Sequence, residues 1–449
     1  MLRSDPPHGK RRGRIFPQGV SPEPPAILAQ PATRGRITPI WAVFTFTFFN
    51  SIGTGVVTNG VVYLTKHGYG FSDALNYWLA VLMGVTYIVG ALGAQPLIAW
   101  VRAVVPGASS RAILGAMMLV MALLCVVPQA ALWLQGGEGR SSWPIWLVVA
   151  LYSPLTGVLW PMVESYLSGG RSGAPLRKVV GRWNIVWSSA VVAAYFGIAP
   201  FVERAPAGTV LALGAVHLGC WWLLTWFSRD PAPHDPEEHE PHPPVYYKLL
   251  VTFRLLLPMS YVVSSALGPY LPSVMTRMRV NDEYQTIIAS AWLAPRVLMF
   301  FVLDRWQGWH GRWFPAVAGG VLLVGGFAVT VFADRAPTQG WFIAVLAVGL
   351  ALFGVGMAVV YSGAIYYAME VGQSEVQAGG KHEALIGMGY TVGPVVLLTA
   401  SMGVERGWIE SAAFEPVVLG FVGALAVIVA GLVVYRVLAH VKTPQNGAQ

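Results

Sequence analysis

One arginine and three glutamates carry charge where the surrounding sequence is almost wholly apolar. Arg296 stands in SAWLAPRVLMFF with no acid in the same run. A cation at that depth costs at least about 3 kcal/mol on membrane-insertion scales, so it must face a cavity or a partner. Its chemistry would be to contact an anionic or polar group, or to form an ion pair that orders its surroundings. Glu164, in VLWPMVESYLSGG, shares a helical face with Trp160, Gly157, Thr156, Ser153 and Tyr152. That face is too polar for lipid. Glu164 therefore reads as a carboxylate pairing with a cation such as Arg182, in a contact that changes or in a static salt bridge, or as a protonation site. Glu370 and Glu383 carry the same readings. Asn50, Thr54 and Thr58 fall on one face of their segment and suit a hydrogen-bonding stripe or contacts between helices. Ser260, Tyr261, Ser264, Ser265 and Tyr270 form a second polar group; Tyr361, Ser362, Tyr366 and Tyr367 form a third.

Catalytic constellations are missing from this inventory. There is no Ser/His/Asp pattern, no HExxH and no phosphate-binding loop, and His382-Glu383 lacks the second histidine of a zinc helix. The expectation is a non-enzyme without metal or cofactor. His217 reads as a packing histidine in an apolar run, with a proton relay as the alternative. His234, His239 and His242 alternate with acids in a Pro-rich stretch and read as part of a solvated linker, with weak binding of a transition metal left open.

The elements that must hold these residues are long apolar runs. Apolar residues make up 55% of the 449 residues and charged ones 11%, more hydrocarbon than one water-soluble core can bury. A bilayer-spanning helix needs about 20 apolar residues. Twelve runs qualify, at 39–64, 74–101, 112–134, 143–167, 183–203 and 209–227, then 249–275, 285–304, 313–333, 341–369, 384–403 and 414–439. The spacer Arg229 to Val245 (RDPAPHDPEEHEPHPPV) divides them six and six. Prolines inside the runs are tolerated in membrane helices, where neighbours re-satisfy the freed backbone groups.

The net charge of +8 is explained by topology rather than by nucleic acid. With the N-terminus inside, 21 of the 29 Lys and Arg fall on the cytoplasmic side and seven outside, with Arg296 left in the membrane. This positive-inside bias puts both termini in the cytoplasm of a cell that carries the protein in its plasma membrane. Cys125 and Cys220 both lie in apolar runs, which argues against a structural disulfide. The expected organisation is a disordered basic cytoplasmic tail (1–38, with the cluster Lys10, Arg11, Arg12 and Arg14), a first six-helix bundle (39–228), a cytoplasmic linker (229–248), a second bundle (249–440) and a short tail (441–449).

The two halves repeat each other weakly. Glu164 closes the fourth run and Gly181-Arg182 opens the fifth; Glu370 closes the tenth and Gly380-Lys381 opens the eleventh. Together with WPxxE (Trp160, Pro161, Glu164), GRxNxxW (Gly181, Arg182, Asn184, Trp187) and HExxxGxGxxxGP (His382, Glu383, Gly387, Gly389, Gly393, Pro394), the chain resembles a major facilitator superfamily transporter over residues 39–440. The resemblance implies an all-α polytopic membrane protein of twelve transmembrane helices in two six-helix bundles, a central cavity lined by spans one, four, seven and ten, and alternating access. It makes Arg296, Asn50, Thr54, Tyr152, Ser153, Trp160, Ser264 and Tyr361 the expected substrate cavity. Glu164, Arg182, Asp304, Arg305, Glu370, Lys381 and Glu383 become the expected gating and coupling residues. There are departures. The family's loop between spans two and three carries an acid, whereas VRAVVPGASSRA keeps only Arg102 and Arg111; a partial version of the motif sits at Asp304-Arg305, Gly308 and Gly311-Arg312. The string GxxxGP lies in span eleven instead of span five, where it has a packing cause and does not imply antiport. The expected function is secondary transport of a small organic solute by a monomer in the lipid bilayer. Proton-coupled efflux, facilitated diffusion and a transporter-like sensor or scaffold without turnover stay open.

Overall fold

The computed structural model describes residues 37–136, 141–171, 173–233, 243–371 and 376–439. The basic cluster of the tail, the spacer histidines and residues 441–449 lie outside them. Among the described residues twelve helices are long and apolar enough to cross a bilayer. Spans one to six are Ile40–Asn59, Asp73–Val104, Ser110–Leu134, Trp143–Ser168, Ala174–Phe201 and Pro206–Trp226. Spans seven to twelve are Pro244–Arg277, Asp282–Arg305, Phe314–Val331, Gln339–Val371, Gly379–Glu405 and Ser411–Arg436. The chain is an integral membrane protein of the all-α class, in two six-helix halves. The exposed belt is apolar, as lipid requires: Trp100, Leu123 and Val427 are 62%, 69% and 73% exposed while Met118 and Phe253 are fully buried.

Local sequence sets where the helices start. The hydroxyls of Ser72 and Ser109 accept hydrogen bonds from Leu75 N and Ala112 N and cap spans two and three. Span seven begins at Pro244, so the last residues of the expected linker are already helical; a proline in the first turn lacks only an N–H that would have no partner anyway. Gly389 and Gly393 make room for span seven: a Cβ on either would lie 2.6 Å from Pro258 O or 2.4 Å from Val262 O. Span eleven's glycines therefore serve backbone approach.

The loop between spans two and three recovers its missing acid from the linker. Asp230 Oδ1 lies 2.8 Å from Arg102 Nη2 and accepts from Ser110 N and Oγ at 2.9 Å. Arg111 N donates to Arg229 O and its guanidinium to Phe227 O. These contacts mark the linker face. The other end of the bundle is called here the opposite face.

Span one departs from a regular helix over its last six residues. From Thr54 to Asn59 it widens to a π-helical turn, with Gly60 N donating to Gly55 O and Asn59 Nδ2 to Thr54 O. Such turns re-aim side chains and recur at functional positions.

A candidate solute site between two closed gates

Between the two halves lies a small central cavity of about 50 Å³. Span one supplies Ser51, Thr54 and Thr58, and span four supplies Thr156 and Trp160. Tyr87 (span two), Trp183 and Trp187 (span five), Tyr261 (span seven), Tyr361 (span ten) and Glu383, Ile386 and Tyr390 (span eleven) complete the wall. Tyr390 stands edge-on between Tyr87 and Tyr261, with centroids 5.6 and 5.1 Å away, and Trp187 tilts against Tyr361 at 5.2 Å. Such arrangements are favourable beyond the area they bury. The Tyr87 hydroxyl donates to Glu383 Oε2. The hydroxyls of Ser51 and Thr54 are buried without a hydrogen-bond partner.

Of the residues expected to line this space, Thr54, Trp160 and Tyr361 do so. Asn50 lies one step round the helix and returns its amide to Phe46 O at 3.0 Å. Tyr152 points to span six, its hydroxyl 2.8 Å from Nε2 of the fully buried His217. Ser153 and Ser264 are outside the wall. Arg296 is 2% exposed and sits one aromatic layer behind it. Its guanidinium carbon is 4.4 Å from the ring centroids of both Trp187 and Trp292, and Nε donates to Ser188 Oγ at 2.9 Å. The partners at that depth among the described residues are thus two indole faces with the Ser188 hydroxyl and the Met357 thioether.

The expected gate pairs are rearranged. Glu164 is 6% exposed and Oε1 has no hydrogen-bond partner; Oε2 lies against Gly379, where a Cβ would approach to 2.8 Å. Arg182 and Lys381 are both exposed. Glu370 instead pairs across the halves with Arg177, at 2.8 Å. Arg177, Arg182, Asp304 and Arg305 line a vestibule of about 440 Å³ on the linker face. Asp304 Oδ1 lies where a Cβ of Gly181 would meet it at 2.3 Å, which brings the ends of spans five and eight together. Glu383, expected at a gate, belongs to the central cavity.

Vestibule and cavity are separated by three rings. Trp187 and Tyr361 face the cavity, and Phe300, which faces the vestibule, packs on them at 5.9 and 6.1 Å. The opposite face is closed by polar contacts. His67 Nδ1 lies 3.0 Å from Asp282 Oδ2 and Nε2 lies 3.0 Å from Gln285 Oε1. The amide of Gln285 is oriented by donating to Val280 O and Asp282 Oδ1, each at 3.0 Å. Ser273 Oγ donates to Asp73, which also pairs with Lys66 at 2.5 Å.

Sequence reasoning missed Tyr87, Tyr390, Arg177, His67, Asp282 and Gln285 as functional residues. Trp187 had a signal, since it belongs to the GRxNxxW string; Tyr87 and Tyr390 look like ordinary members of apolar runs.

No family model matches the chain, and no curated protein matches it. Solved structures do. The nucleoside transporter NupG is 13% identical with a TM-score of 0.55, covering 90% of this chain and 98% of its own. The human organic anion transporter MFSD10 (TETRAN) is 14% identical with a TM-score of 0.59, covering 88% of this chain and 98% of its own. At these identities the likeness is one of fold: this chain has the major facilitator fold.

Proposed function

We propose that this protein is a secondary transporter that moves a small organic solute by alternating access, as a monomer with the linker face in the cytoplasm. The observation that carries the reading is a cavity between two halves, closed at both ends by contacts that cross from one half to the other. Arg177–Glu370 and the Trp187/Phe300/Tyr361 rings form one closure; His67 with Asp282 and Gln285 forms the other. Each closure is polar or thin enough to break while the halves rock, and a site near the midplane is then exposed to one side at a time. Two of its neighbours by fold are named as transporters of a nucleoside and of organic anions, which supports the class without naming the solute. The count of Lys and Arg supports the orientation.

Proton exchange is the coupling we favour. Glu383 lines the cavity and Glu164 is buried within electrostatic reach of it. A carboxylate in a dry site is costly unless a cation or a proton attends it. Solute and proton would then alternate on Glu383 while Glu164 holds or relays the proton.

Spin labels beside each closure, leaving its contacts intact, test the transport reading, at positions 178 and 307 on one face and 69 and 284 on the other. Alternating access gives two anticorrelated distance populations. A single closed distance at both faces, with and without solutes and across a pH gradient, rejects it. In proteoliposomes, solute flux should respond to an imposed pH gradient, and Glu383→Gln should remove that response; flux indifferent to the gradient would instead make the protein a facilitated-diffusion carrier.

A further inference from the structure

We propose that the central site takes a small organic cation, a protonated amine or quaternary ammonium, with Glu383 as its counter-charge and the surrounding rings as its cage. This rests on reading the cavity as the solute site.

Three observations carry it. First, Glu383 is the only charged side chain among the described residues of the wall, and it is 3% exposed. An anionic solute would sit against this carboxylate with no cation to receive it. Arg296 is not in that wall: its guanidinium carbon lies 4.4 Å from the ring centroids of both Trp187 and Trp292. Second, the wall that holds the carboxylate is largely aromatic. Tyr87, Tyr261, Tyr390, Trp160, Trp187 and Tyr361 share the cavity with it, and the Tyr87 hydroxyl donates to it. Rings at this density favour a cation through their quadrupoles, most strongly where water is excluded. The same shell already holds one cation in this way, at 4.4 Å from each indole of the Arg296 sandwich. Third, the hydroxyls of Ser51 and Thr54 lack partners in the wall and can accept an N–H or meet a hydroxyl of the solute. A bound cation would complete every one of these valences: charge on Glu383, rings around the methyl or N–H groups, and hydroxyls on the polar end.

The test uses the purified full-length protein and three probes: tetramethylammonium, choline and benzyltrimethylammonium. Binding is read by quenching of tryptophan fluorescence, since Trp160, Trp183 and Trp187 line the site. The controls are 3,3-dimethylbutan-1-ol (the neutral isostere of choline), benzoate and uridine. At least one cation should bind at least about tenfold more tightly than the neutral isostere, a ratio within the range of desolvated cation–π and charge contacts. Glu383→Gln should bring the cation down to the isostere's level and leave the isostere unchanged. The comparison on the wild-type chain stands even if that variant fails to fold. Binding of none of the three cations, or equal binding of choline and its isostere, overturns the assignment. Binding of benzoate or uridine without a cation also overturns it and leaves the transporter reading intact. Gate distances that never change defeat the transporter reading, whichever probe binds.

Discussion

Arg296 shows how far a single residue's chemistry can be inferred and where it depends on neighbours. A buried cation demands compensation, and that much follows from its place in an apolar run. The structure supplies two indole faces, the Ser188 hydroxyl and the Met357 thioether. Arg296→Lys keeps the charge but loses the flat guanidinium and the bond to Ser188, at a cost of about 2 kcal/mol. The melting midpoint of the purified protein should fall accordingly; an unchanged midpoint would mean that charge alone suffices. His310 gives a second prediction. It stacks on Tyr366 at 4.1 Å beyond the end of span eight, and burial, helped by the nearby Arg177, pushes its pKa down from 6.5 to about 4. The folded chain therefore binds this proton less readily than the unfolded chain. Its contribution is fully present above pH 6.5 and is lost as the pH falls from 6.5 towards 4. His310→Phe should flatten that part of the melting-point profile, and an unaltered acid slope would refute the assignment.

At the scale of elements, the closures between helices can be tested one at a time. Glu370→Gln removes the Arg177 ion pair that ties span ten to span five. A cysteine at Asn184, which lines the vestibule, should then react faster with a membrane-impermeant maleimide added from the linker face. Equal rates would show that the ion pair does not hold this gate. On the opposite face both ring nitrogens of His67 look at acceptors, so the protonated ring makes two donor bonds and the neutral ring only one. Label distances between 67 and 282 cannot read this, because the labels replace the pair. Labels on the flanking positions 69 and 284 should show more opening in His67→Phe, which removes both contacts, and an unchanged distance would show that they do not hold this gate. Much of this level was legible beforehand: the helix count, the spans' approximate limits and the acid-then-cation rhythm at spans four/five and ten/eleven. The partners were not. Glu370 was expected to act with Lys381, eleven positions along, yet it binds Arg177 from the other half. Arg102 lacked an acid in its own loop and finds Asp230 in the linker.

At the scale of the molecule, the halves enclose a site that is closed in this conformation, and its volume of about 50 Å³ means that they must part to admit a solute. Phe300→Ala removes one of three rings between cavity and vestibule. It should make a cysteine at Thr156 reachable from the linker face without any solute present; continued protection would place the barrier elsewhere. Composition and periodicity by themselves determined the solvent, the helical class and the twofold rhythm, because lipid allows a spanning segment no alternative to satisfying its own backbone. They also identified that Arg296 and the glutamates needed partners. Only the tertiary structure decided which partners those were. Hydropathy records how apolar a segment is, whereas the direction of each side chain depends on a π-turn in span one and on the glycine-to-backbone approach of spans seven and eleven. The tertiary structure turns the Asn50 amide to Phe46 O and the Tyr152 hydroxyl to His217, places Arg296 against Trp187 and leaves Glu383 as the charged side chain among the described residues of the cavity wall.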